Sequence, residues 1–242
     1  MIQLTSRDDA MLEWLGVVRV AEMDAIRYAM AGLSGADKPV HVRKAQNWVA
    51  RLEALGMVGR GRPSHRDTSI IWPTAKAVGR QPLSLLGQTI RHECAVAAVS
   101  ARYLLRGYTW RQDRKPSGMF DHEADGVAIK GDVIELVEVE LTPKAISRYK
   151  LICDSHSSRL LHEGVSRVVY PSTADAARTV NKQADRYLFR TDRPRLVAFA
   201  AFDKNGKWVA RDEALWVGAQ VPNEFAVAAE LDGLEILEGS TR

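Results

Sequence analysis

Cysteine is almost missing from this chain: Cys94 and Cys153 are the only two in 242 residues. That excludes a disulfide framework and leaves buried, reduced thiols of a cytoplasmic protein as the expectation. No apolar run reaches the roughly 18 residues a membrane-spanning helix requires, so none is expected. The opening MIQLTSRDDAMLEWL places two acids before any sustained apolar stretch, which argues against a secretory leader. A glycine-rich phosphate loop and a Ser/His/Asp nucleophile pattern are both lacking, so neither nucleotide chemistry nor serine hydrolysis is expected, nor any small-molecule cofactor.

What is present is an uneven charge. The net charge of +4 vanishes after residue 82, beyond which Lys/Arg and Asp/Glu balance. Residues 38–80 carry nine basic residues (Lys38, Arg43, Lys44, Arg51, Arg60, Arg62, Arg66, Lys76, Arg80) against two acids, Glu53 and Asp67. A surplus confined to one short segment is the footprint of a polyanion-binding surface.

Within that segment the periodicity is informative. Residues 5–15 read as a helix capped by Thr5 or Ser6, with Asp8 and Asp9 where the helix dipole favours acids. A second helix fits 21–31. A third, about 40–55, puts Ala45, Trp48, Val49, Leu52 and Leu55 on one apolar face. Arg43, Lys44, Asn47 and Arg51 fall on the other side, with Gln46 at its edge; these side-chain types reach guanine, adenine and phosphate in a major groove. Met57–Arg60 and Thr68–Trp72 then read as a hairpin bearing Arg60, Arg62, His65 and Arg66 near its tip.

Helix, helix, basic helix, basic hairpin, with LEALGMVGRGR…IIWPTAKAVGR across the last two, resembles the winged helix-turn-helix family over about residues 5–82. The resemblance implies that helix 40–55 is the recognition helix and that the hairpin touches phosphate or minor groove of double-stranded DNA. A solvated basic face on a protein-binding helical domain is the competing reading.

The remainder reads as α/β: helix 88–106, strand 108–113, a strand pair, helix 143–163, strand 166–170, helix 173–189 and strand 195–202. The strand pair turns at Gly131-Asp132, a favoured two-residue loop. Pairing Lys130 with Val133 sets Asp125 opposite Glu138 and Glu123 opposite Glu140, on the face of Val127, Ile129, Ile134 and Leu136. Ala124, Ala128, Val133, Val137 and Val139 take the reverse face. Like charges directly opposite are unfavourable, so the acids need a cation, a proton or solvent. Mg²⁺ is the cation suited to hard oxygen ligands.

Asp125…Glu138-Val139-Glu140 resembles the PD-(D/E)xK nuclease superfamily, whose core of helix, three-strand meander, helix and strand would span about residues 88–202. The resemblance implies Asp125, Glu138 and Glu140 as catalytic metal ligands, with Glu93 as a further acid. Ala124 replaces the usual proline and Glu140 the usual lysine, whose charge Lys144 could supply. Together with RHECAVAAVSARYL, ELVEVELTPK and the pair Arg148-Tyr149, the chain resembles the plasmid replication-relaxation family of actinobacterial plasmids and phages.

The expected architecture is therefore two α/β-class domains: a winged helix over 1–82 and a restriction-endonuclease-like α/β sandwich with a central mixed sheet over 88–242. The expected function is sequence-specific binding of double-stranded DNA, as a regulator of transcription or replication, with a nuclease-like second domain. A Mg²⁺-dependent DNA endonuclease and a protein-interaction module are the alternatives. A homodimer is expected by analogy with winged-helix regulators. His92 reads as a packing residue, Cys153, His156 and His162 as too loose a set for zinc, and Lys144, Arg148 and Lys150 as a solvated face or phosphate contacts. Arg186, Arg190, Arg193 and Arg195 are interrupted by Asp185 and Asp192. Residues 221–237 (VPNEFAVAAELDGLEIL) read as a final helix or strand packing on the core, or as a dimer contact.

Overall fold

The structure is a computed structural model, and it describes residues 3–62, 68–84, 87, 89–119 and 121–216. The described residues form a mixed α/β protein with seven helices and two sheets. No helix among them is long and apolar enough to cross a membrane.

The first half builds α1 (Ser6–Val18), β1 (Ala21–Glu22), α2 (Met23–Gly32), α3 (Val42–Ala54), β2 (Val58–Gly61), β3 (Ile70–Pro73) and a single helical turn, α4 (Ala75–Val78). Thr5 caps α1 and Asp8 returns a bond to the Thr5 backbone, a reciprocal capping box. The sequence placed Ala21 and Glu22 in a helix. They instead form β1, paired with Ile71 and Ile70, in a sheet of order β1-β3-β2. Two residues are too short to carry a periodic signal, so only the tertiary pairing defines that strand. Met11, Leu15, Ile26, Trp48, Val49 and Leu52 make the core here. Burying each large side chain contributes about 1.5–3 kcal/mol.

The second half begins with α5 (Ile90–Leu105) and continues through β4 (Thr109–Arg111), β5 (Gly126–Lys130), β6 (Val133–Val137), α6 (Ile146–His162), β7 (Arg167–Thr173), α7 (Ala174–Tyr187) and β8 (Leu196–Phe202). One five-stranded sheet runs in the order β4-β5-β6-β7-β8. The first three strands are antiparallel, and β7 and β8 are added parallel through α6 and α7. The β5–β6 register is Lys130↔Val133 through Gly126↔Val137, and Gly131 has φ 55°, as a two-residue turn of this hand requires. Val127, Leu136, Val168 and Tyr170 face α6 and α7; Ala128, Val137 and Val169 face α5.

The pairing stops one step short of the acids. Beyond Val137 the chain leaves β5: the Glu138 N–H bonds the Val169 carbonyl at 2.9 Å, and Glu140 bridges to Ser172 of β7. Asp125 and Glu123 precede Gly126 and lie outside the strand, so the expected Asp125–Glu138 and Glu123–Glu140 ladder pairs do not form. Ala124, expected on the α5 side, packs with Val127 and Leu136 for the same reason.

α5 belongs to both cores. Ala97, Ala101 and Leu104 pack with α1 and α2, while Val96, Val99 and Tyr103 pack on the five-stranded sheet. Trp14 Nε1 donates to Ser100 Oγ at 2.9 Å. A Cβ on Gly32 would sit 2.4 Å from the Leu104 backbone, so α2 and α5 touch at a glycine. The Arg102 guanidinium lies 4.3 Å from the ring centres of both Tyr28 and Trp208 and pairs with Asp24 and Asp212. The first half is thus tied to the segment after β8.

Candidate nucleic-acid interface and carboxylate cluster

α3 presents the polar face that its periodicity predicts. Arg43, Lys44, Gln46 and Asn47 are exposed, and their side chains make no hydrogen bond or ion pair among the described residues. Ala45, Trp48, Val49 and Leu52 are buried beneath them. His41 caps the helix, its Nδ1 accepting from the Arg43 N–H at 3.3 Å.

Arg51, expected among the DNA-contacting residues, differs from these four in having a partner within the fold. Its guanidinium pairs with Asp8 of α1, whose side chain is only 1% exposed. The same carboxylate accepts from Trp48 Nε1 at 2.9 Å and from the Thr5 N–H and hydroxyl, each at 2.8 Å. Burial alone would raise the Asp8 pKa, but the bonds from Arg51, Thr5 and Trp48 outweigh it and hold the carboxyl at about 2. Asp8 therefore sets the rotation of α3 on α1. In the hairpin, Arg60 is exposed but pairs with Glu53 at 3.2 Å, and Arg62 Nε donates to Ser69 Oγ at 3.3 Å. His65 and Arg66 lie outside the described residues.

The acids singled out in the second half each lie beside a basic partner. Asp125 Oδ2 accepts from the Val139 N–H at 2.7 Å and lies 3.1 Å from His92 Nε2 on α5, which also reaches the Val139 carbonyl at 3.0 Å. Burial would lower the His92 pKa, but the Asp125 carboxylate outweighs it and lifts it to about 9. Glu138 is buried, with His122 Nε2 2.7 Å from its Oε1, close but poorly aligned as a hydrogen bond. Burial raises the Glu138 pKa against the opposing pull of His122. His156 lies 3.7 Å from the same oxygen and shares a 2.8 Å bond with the Tyr170 hydroxyl. Burial pushes the His156 pKa down to about 3, so it is neutral at pH 7.

Both oxygens of Glu140 are taken: Oε2 by Lys144 Nζ at 2.7 Å, and Oε1 by the Tyr149 hydroxyl and the Lys144 N–H. Burial would lower the Lys144 pKa, but Glu138 and Glu140 outweigh it and raise it. Glu93 faces Arg19 at 4.0 Å, and Glu123 pairs with Lys115 at 2.9 Å. A cleft of about 320 Å³ opens beside the cluster, lined by Arg91, His92, Val139, Glu140, Leu141, Thr142 and Lys144.

The Mg²⁺ ion implied by the nuclease resemblance needs carboxylate oxygens left available to it. Asp125, Glu138 and Glu140 are instead matched singly to His92, His122 and Lys144, and Glu93 points to Arg19. Among the described residues no three His, Cys, Asp or Glu side chains are grouped to hold a metal ion. In this arrangement the donor set does not fit the ion.

The cysteines behave as packing residues. Cys94 and Cys153 are buried and free, and burial pushes their thiols up to about 12 and about 11. Arg193 pairs with Asp185 and Arg195 binds the Val165 and Ser166 carbonyls, which removes both from any basic track. Sequence reasoning missed the pairing role of His122 and the structural role of Asp8. No local pattern marks His122, and Asp8 reads only as an acid in a first helical turn. Comparison with family models, with curated proteins and with solved structures gives no match for this chain.

Proposed function

We propose that this protein binds double-stranded DNA through a winged helix, with α3 in the major groove and the β2–β3 hairpin on the flanking backbone. The observation that carries the reading is the set Arg43, Lys44, Gln46 and Asn47. All four are exposed on one face of a helix whose other face is buried, and none has a side-chain partner among the described residues. Unmatched cations and amides held on a rigid element are suited to an outside ligand. Arginine fits the guanine edge, and asparagine or glutamine fits adenine. The order helix, strand, helix, helix, hairpin, with the β1-β3-β2 sheet behind it, supports the same reading. Such a protein would act by occupying its site, as a regulator of transcription or replication.

The test is a titration of the protein on its own upstream DNA, followed by fluorescence anisotropy. Arg43→Ala or Asn47→Ala should relax sequence preference by about 1–3 kcal/mol at the base concerned. Arg62→Ala should weaken all sequences alike. Unchanged preference in both α3 variants would refute the reading.

A Mg²⁺-dependent endonuclease is the second reading, favoured by the order α5, β4-β5-β6, α6, β7 and the mixed sheet it forms. Metal-dependent nicking of supercoiled plasmid, lost in Asp125→Ala, would establish it. The matching of Asp125, Glu138 and Glu140 to internal partners leaves this reading without a defined catalytic step.

A further inference from the structure

The turn Asp203–Lys207 joins the foot of the hairpin to the rim of the cleft. On one side Lys207 Nζ donates to Thr68 Oγ1 at 2.9 Å and pairs with Glu22 of β1. Both partners belong to the hairpin's end of the molecule. On the other side the Arg91 guanidinium donates to the carbonyls of Lys204, at 2.5 Å, and Asn205, at 3.3 Å. Gly206, at φ 76°, holds the turn against Leu141: a Cβ there would lie 3.2 Å from Leu141 Cδ1. Arg91 and Leu141 both line the cleft.

The charges along this turn are not equal in standing. Lys207 is matched by Glu22 and Lys144 by Glu140. Asp203 is occupied by the backbone N–H groups of Asn205 and Lys207, and Glu93 faces Arg19. Lys204 is exposed and its ammonium has no partner among the described residues. Arg91 is exposed and bonded only to carbonyls, which hold its position without neutralising it. Two unneutralised cations therefore stand beside the hairpin, one of them oriented with donors to spare, as phosphate binding requires.

We propose that a duplex held by α3 and the hairpin continues across this turn, with Lys204 and Arg91 each contacting a backbone phosphate on the second half of the protein. The inference rests on the DNA-binding reading above.

The experiment is the salt dependence of affinity for a random-sequence duplex of about 30 base pairs, three helical turns. Wild type is compared with Lys204→Ala, with Lys204→Ala combined with Arg91→Ala, and with Lys182→Ala. Lys182 is exposed on α7, across the sheet from α5, and is the charge control. Each lost phosphate contact should reduce the slope of log affinity against log salt by about 0.9. Between about 50 and 200 mM salt this spares Lys204→Ala about threefold of the wild-type loss, and the double variant about tenfold. Lys182→Ala should keep the wild-type slope.

Wild-type slopes in Lys204→Ala and the double variant, with Arg62→Ala measured alongside and still weakening binding, would overturn this inference and leave the winged-helix reading standing. An equal fall in Lys182→Ala would also overturn it, by showing a general charge effect. Absence of salt-sensitive affinity in every form would overturn both.

Discussion

Replacing Asp8 with asparagine should destabilise the protein and erase a defined part of its acid sensitivity. The carboxylate is 1% exposed and accepts from Arg51, Trp48 and Thr5. Its depressed pKa, about 2 instead of 3.8, corresponds to roughly 2.5 kcal/mol favouring the folded, charged state. Arg51 is a third exposed, 33%, so water compensates part of its loss. Breaking a buried pair costs about 3–5 kcal/mol, and with that discount about 2–3 kcal/mol is expected for Asp8→Asn at pH 7. Because the folded pKa lies below the unfolded one, this stability is complete above about pH 5. It is lost as pH falls through 3.8 towards 2. Urea melts of wild type and Asp8→Asn between pH 7 and pH 2 measure it. The gap in stability should narrow steadily below about pH 5. A gap that stays constant to pH 2 would refute the role assigned to the charge.

Two further outcomes follow from the packing. Gly32→Ala places a methyl against the Leu104 backbone, which cannot rotate away, and should cost about 1–3 kcal/mol; a thermal melt unchanged from wild type would show that α2 and α5 do not meet there. His156, buried and neutral with its pKa near 3, contributes stability that is present above the unfolded pKa of 6.5 and lost as pH falls below it. His156→Gln should flatten that decline between pH 6.5 and 4.5, measured as the slope of melting temperature against pH.

The legibility of this protein divides by the range of its contacts. α3 could be read from spacing, because Ala45, Trp48, Val49 and Leu52 repeat with the helical period and the basic residues fall between them. The register of β5 on β6 could be read as well, since Gly131-Asp132 demands a two-residue turn and the turn dictates every pair up to Gly126↔Val137. The order of strands and helices in the second half followed from the same local signals.

Tertiary structure alone decided the rest. The two-residue turn predicts pairing past Val137, but β5 parts from β6 there, while the chain after β6 stays bonded to β7, a strand some thirty residues later in sequence. That parting dispersed the ladder of carboxylates and left each beside its own partner. Arg51 and Arg43 look alike in composition and charge. Only the packing of α1 against α3, which brings Asp8 under Arg51, separates an arginine paired within the fold from an exposed one. Helix α5 reads as the start of a second domain, yet small residues on one side and larger ones on the other let it serve both cores. The sequence by itself determined the helical and strand periods, the β5–β6 turn and the concentration of positive charge in residues 38–80, because these depend on neighbours a few residues apart. Which charges remain available to a partner depends on contacts between elements distant in the chain, and the fold alone sets those.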